Sequence, residues 1–176
     1  MSAQLAMNKP TIRVLTQYDA MRRAPVIGEV CISITNPRQP EADLEPGWSD
    51  VLRLGFHDTD RKGGGFTPMS LDHAREVLQF ARTHRDVPMT VHCWAGSSRS
   101  VGVAVFLAAW LDRELLPVND VLAPNPWVVR KLQRAALGCA MRWRDFDLMR
   151  VALAGPLTRK YRYRMVTKAI ADTYVK

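Results

Sequence analysis

Three cysteines in 176 residues, at positions 31, 93 and 139, are too few and too widely spaced to make a disulfide framework. Together with the four histidines they show no zinc-ligand spacing, so neither a metal nor any other cofactor is expected. Long apolar runs are also missing: the longest, Val101 to Leu111, is too short to cross a bilayer and reads as a core helix. Met1 to Pro10 lacks the basic-then-apolar layout of a secretory signal. There is no internal repeat and no low-complexity tract. These absences point to a reduced, cytoplasmic chain without a transmembrane segment. Its apolar fraction of 47% and charged fraction of 24% are ordinary for a globular protein, and 176 residues can bury a sizeable core in one domain.

Acidic residues are scarce in one region only. Residues 130–176 carry 12 Lys/Arg against 3 Asp/Glu, a balance of +9, whereas 1–129 carry 13 against 14. The net charge of +8 therefore sits almost wholly at the C-terminal end. We expect a compact domain over 1–137 and a basic, helical extension over 138–176 packed on it. Thr158 to Arg164 alternates basic and aromatic residues. Such a run is either a solvated face or, through residues 156–176, a contact to nucleic acid or another anionic surface.

The chain between reads as alternating strands and helices. Thr11–Thr16, Val30–Thr35, Val51–Phe56 and Pro88–Cys93 are strand-like. Ser70 is placed to cap a helix through about Thr83, with Leu71, Ala74, Val77, Leu78 and Phe80 or Ala81 on its buried face. Arg99–Leu111 is a second helix, and Asn125 caps a third, opened by Pro126 and running through Leu137. Further helices are expected over 140–153 and 165–174. The fold class that follows is α/β: a mostly parallel central sheet of four to five strands flanked by helices in three layers.

What stands out is the segment joining the fourth strand to the second helix, His92-Cys93-Trp94-Ala95-Gly96-Ser97-Ser98-Arg99-Ser100. A thiol at a strand end, facing a helix N-terminus, meets unpaired N–H groups and the positive end of the helix dipole, which favour a thiolate. The same N–H groups can cradle the oxygens of a phosphate. Trp94, Ala95, Gly96, Ser97 and Ser98 form the rim, with Gly96 admitting close approach and the two serines leaving it open. Arg99 supplies a planar fork for two oxygens at once, and Ser100 a hydroxyl for the sulfur when it leaves. His92 is expected to order the loop rather than to react.

This loop resembles the signature of the cysteine-dependent protein tyrosine phosphatase superfamily. Arg13-Val14-Leu15, Ile32 to Thr35, Leu52 to Asp58, His92 to Ser100 and Pro124-Asn125-Pro126 are similar to a bacterial and phage-type group within it. The resemblance spans about residues 11–137 and leaves the last 39 residues without a counterpart. It implies Cys93 as nucleophile, Arg99 as phosphate clamp and Ser100 as the hydroxyl beside the sulfur. In the compact dual-specificity branch the general acid is an Asp just after a strand, which implies Asp58, with Asp60 in reserve. Gly63, Gly64 and Gly65 give the segment after Asp58 the hinge freedom of a lid. The partner implied is a phosphorylated protein bearing phosphotyrosine, with phosphoserine and phosphothreonine also open.

Other readings share the loop. A phosphoinositide phosphatase places basic residues among the five after the cysteine, and here all five are uncharged. Arsenate reductases and sulfur transferases need relay cysteines or a different loop. An RNA 5′-phosphatase draws on the basic tail. A phosphate-recognising module would bind without turnover if Asp58 were misplaced. A nucleic-acid binder would use Tyr161, Tyr163 and the arginines between them.

Overall fold

The computed structural model describes residues 9–61, 63–116 and 123–137. The helices expected over 140–153 and 165–174, the basic–aromatic stretch, Cys139 and the whole 138–176 extension lie outside the described residues.

Strands β1 (Thr11–Thr16), β2 (Val30–Thr35), β3 (Asp50–Gly55), β4 (Met89–Cys93) and β5 (Glu114–Leu115) alternate with helices α1 (Gln17–Ala20), α2 (Leu71–Thr83), α3 (Arg99–Trp110) and α4 (Pro126–Leu137). The strands form one sheet in the order β3-β2-β4-β1-β5, and every pairing is parallel. With the helices flanking it, the sheet confirms the α/β expectation. Parallel pairing requires a crossover between successive strands, so both faces of the sheet must be covered and its central strand reads as continuous core. β4 obeys this: all five of its residues are buried.

Val14, Val91 and Ile32 lie side by side across β1, β4 and β2, and form the middle of the core. α3 packs on β1 and β4 and is covered in turn by α4, so it is buried almost all round and has no polar face. α2 is amphipathic and buries Ala74, Val77, Leu78 and Ala81. Ser70 caps it as expected: the Ser70 hydroxyl accepts from the His73 N–H at 3.0 Å, and His73 Nδ1 accepts from the Ser70 N–H at 3.3 Å. At the C-terminal end of α2, the buried Arg113 donates to the carbonyls of His84, Arg85 and Val87.

The register aligns Thr16 of β1 with Cys93 of β4, and Thr35 of β2 with Gly55 of β3. The C-terminal ends of four strands thus open on one edge, where an open parallel sheet presents its loops to a ligand. No helix among the described residues is long and apolar enough to cross a membrane.

Candidate active site

Cys93 closes β4 and is 1% exposed. Its Sγ lies 3.1 Å from Ser100 Oγ, on the first turn of α3. The chain between them curls because Gly96 adopts a φ of +64°, and a Cβ there would stand 2.8 Å from the backbone of Leu15 and Thr16. Both facts demand glycine: the left-handed backbone disfavours any side chain, and the end of β1 leaves no room for one. The loop is tied to its surroundings by main-chain bonds, from Gln17 N–H to Trp94 O at 3.2 Å and from Ala123 N–H to Ser97 O at 3.2 Å. Trp94 and Ala95 are exposed, Ser97 and Ser98 half-buried.

Ser98 stands at the N-cap of α3, yet its side chain makes no cap bond. Its hydroxyl donates to Asp58 Oδ1 at 2.8 Å instead. The first N–H groups of α3 are therefore left without a side-chain acceptor, as an anion site at a helix start requires.

Arg99 is 4% exposed. Its Nη1 donates to Phe56 O at 2.7 Å, Asn36 Oδ1 at 2.9 Å and Thr35 O at 3.3 Å, so the ends of β2 and β3 hold the guanidinium. None of these acceptors carries charge, and among the described residues Arg99 makes no ion pair. Nε is buried without a partner, and no described group accepts from Nη2. The Nε–Nη2 edge of the guanidinium, the one best suited to grip two oxygens of one anion, thus makes no hydrogen bond among the described residues. Asn36 was legible in the sequence only as the end of a strand; its part in holding Arg99 depends on β2 lying beside β4.

Asp58 reaches the loop. Besides the Ser98 hydroxyl, Asn125 Nδ2 donates to the same Oδ1 at 2.7 Å. Both bonds end on Oδ1, and among the described residues none ends on Oδ2. Asp60 is exposed and no described group of the loop engages it. Of the two candidate carboxylates, Asp58 alone is bonded to the phosphate loop among the described residues.

The glycine-rich segment after Asp58 is pinned at its base. His57 and Thr67 pair twice at its base, through His57 N–H to Thr67 O at 2.7 Å and Thr67 N–H to His57 Nδ1 at 2.9 Å. Gly63, Gly64 and Gly65 all have positive φ and turn the tip back on itself. The carboxylate sits at the anchored base rather than at the glycine-rich tip.

His92 is fully buried, and among the described residues neither ring nitrogen has a partner. It forms no hydrogen bond to the loop it was expected to order. Burial pushes its imidazole down to about 4, with repulsion from Arg53 and Arg99 adding to the effect. Cys31, on β2, is buried as well; desolvation first, then the Glu29 carboxylate, push its thiol up to about 12. It is an inert core thiol. Among the described residues no cluster of His, Cys, Asp or Glu could hold a metal ion.

No family model matches this chain, and no curated protein gives a significant match to it.

Proposed function

We propose that this protein is a cysteine-dependent phosphatase of the tyrosine and dual-specificity kind, acting on phosphoproteins. The observation that carries the reading is a buried guanidinium with no counter-ion and no bond on its Nε–Nη2 edge among the described residues, six residues after a thiol that touches a hydroxyl. A buried uncompensated charge is costly, and a bound dianion supplies what the protein withholds.

The Cys93 thiolate attacks phosphorus as the P–O bond to the substrate breaks. Asp58 gives its proton to the departing oxygen. Arg99 and the first N–H groups of α3 hold the three non-bridging oxygens, over which charge spreads in the transition state. Water, deprotonated by Asp58, then attacks the phosphocysteine. The S–P bond breaks, the Ser100 hydroxyl stabilises the departing thiolate, and inorganic phosphate leaves. Phosphotyrosine is the substrate we favour, since the exposed face of Trp94 on the rim suits an aryl group. A reducing, cytoplasmic setting suits a reaction that depends on a thiolate.

Hydrolysis of an aryl phosphate, followed by a panel of phosphotyrosyl, phosphothreonyl, phosphoinositide and RNA 5′-phosphate substrates, tests the reading. Cys93→Ser is expected to lose all turnover while still binding inorganic phosphate in a titration. Turnover in Cys93→Ser comparable to wild type would remove the nucleophile, and with it the mechanism.

A further inference from the structure

Asp58 is an exposed residue on a loop, yet two side chains donate to the same oxygen of its carboxylate. The residue that holds it from the far side, Asn125, is 4% exposed and 67 positions away in the chain. Both ends of its amide are committed, to different parts of the molecule. Oδ1 accepts from the N–H groups of Trp127 at 2.9 Å and Val128 at 3.1 Å, capping α4. Nδ2 donates to Asp58 Oδ1 at 2.7 Å and, at 3.4 Å, to Thr59 O. Because the cap needs an oxygen and the carboxylate a donor, the amide has one workable orientation.

Asn125 cannot drift from this place. Its N–H donates to Ser98 O at 3.2 Å, binding it to the phosphate loop. Its carbonyl oxygen would stand 3.2 Å from a Cβ added at Gly102, so α3 gives up a side chain there to let the start of α4 come close. The Trp127 indole N–H donates to Met69 O at 2.9 Å, fixing the same turn to the approach of α2.

We propose that Asn125 is the positioning residue for the acid: its amide fixes Asp58 beside the phosphate loop before substrate arrives, with Oδ2 left to meet the leaving oxygen. The proposal rests on the reading of Asp58 as general acid. It goes further in one respect: protonation of the leaving group depends on a side chain at the start of α4, and not on closure of the glycine-rich tip. Asn125 itself touches neither phosphorus nor the departing oxygen, so its effect appears only through Asp58.

Two variants keep the cap and remove the donor. Asn125→Ser retains a capping oxygen but is too short to reach Asp58, and Asn125→Asp retains the oxygens but has no N–H to give. Both are to be checked first for unchanged Tm and helix content. Each is then assayed on phenyl phosphate, a poor leaving group, and on p-nitrophenyl phosphate, a good one, with inorganic phosphate as inhibitor. The expected result is a fall in kcat of roughly tenfold to hundredfold on phenyl phosphate, the scale of a lost bond to a charged group. On p-nitrophenyl phosphate the change stays below about twofold, and phosphate inhibition is unaltered. In an Asp58→Asn background Asn125→Ser brings no further loss, because the two act as one unit. Equal losses on both esters, full additivity with Asp58→Asn, or an unimpaired rate on phenyl phosphate would each overturn the proposal while leaving the phosphatase reading intact. A wild-type protein inactive on every phosphate ester overturns both.

Discussion

The two ends of the sheet each bury a charge, and they treat it in opposite ways. At the N-terminal end Glu29 is 2% exposed and fully matched. Arg23 Nη2 donates to its Oε2 at 2.8 Å, the Val26 N–H to the same oxygen at 3.0 Å, and the Thr90 hydroxyl to Oε1 at 2.7 Å. Burial alone would push this carboxyl up, but the bonds from Arg23, Thr90 and Val26 outweigh it and hold it below its usual range. At the C-terminal end Arg99 is almost as buried and receives only neutral acceptors. At the first end the carboxylate is satisfied within the folded protein. Under the proposed function an anion completes the second, and it is the place of Arg99 at the start of α3 beside the Cys93 loop that marks it, since Arg113 is also buried and held by carbonyls without lying at such a loop.

The largest effect is expected at Asp58, the proposed acid. Asp58→Asn is expected to slow poor leaving groups by about 10²–10⁴-fold and good ones far less, whereas Asp60→Asn leaves the ratio unchanged. If Asp60→Asn shows that pattern instead, the carboxylates have been assigned the wrong way round. Next comes Arg99→Lys, which keeps the charge and loses the fork. A fall in kcat/KM of about 10²–10³-fold is expected, and inorganic phosphate should no longer raise Tm as it does for wild type. Unchanged kcat/KM would remove the two-oxygen grip.

At the matched end the effect should fall on stability alone. Glu29→Gln strands Arg23 and is expected to cost about 2–3 kcal/mol in urea unfolding, below the usual figure for a buried pair because the Arg23 side chain is 21% exposed. Its kcat should match wild type; a large loss of turnover would mean that the two ends are not independent. A stability effect of similar size concerns acid. Folded His92 stays neutral down to about 4, whereas the unfolded chain takes up a proton near 6.5. Stability present above about pH 6.5 is therefore lost as pH falls toward 4, by about 3 kcal/mol in all. Unfolding curves across that window should flatten in His92→Leu, and an unaltered slope would assign the acid sensitivity elsewhere. Glu29, held low, adds its own loss below the usual carboxylate range.

Local pattern carried the large elements. β1, β2, α2 and α4 fall where alternation, a Ser cap and an Asn-Pro start put them. β3 begins one residue earlier than expected and releases Phe56, whose N–H instead bonds Thr35 O. α1 and β5, of four and two residues, are too short to show a period. The site was legible where chemistry is contiguous, from Cys93 to Ser100. It was not legible where partners are distant in sequence: Asn36 and Phe56 holding Arg99, Ser98 and Asn125 holding Asp58. Both Asp58 and Asn125 carried readable local signals, but their meeting depends on how α4 lies on α3. The three glycines were legible as a turn, whereas the His57–Thr67 pairing at its base joins residues ten apart and had no local signal.

The collision that any side chain at Gly96 would have with the end of β1 sets the terms for redesign. Under the proposed function, laboratory evolution that randomises the outward-facing Trp94 and Ala95 has latitude to retune which molecules are accepted, whereas libraries that vary position 96 are expected to fill with misfolded clones.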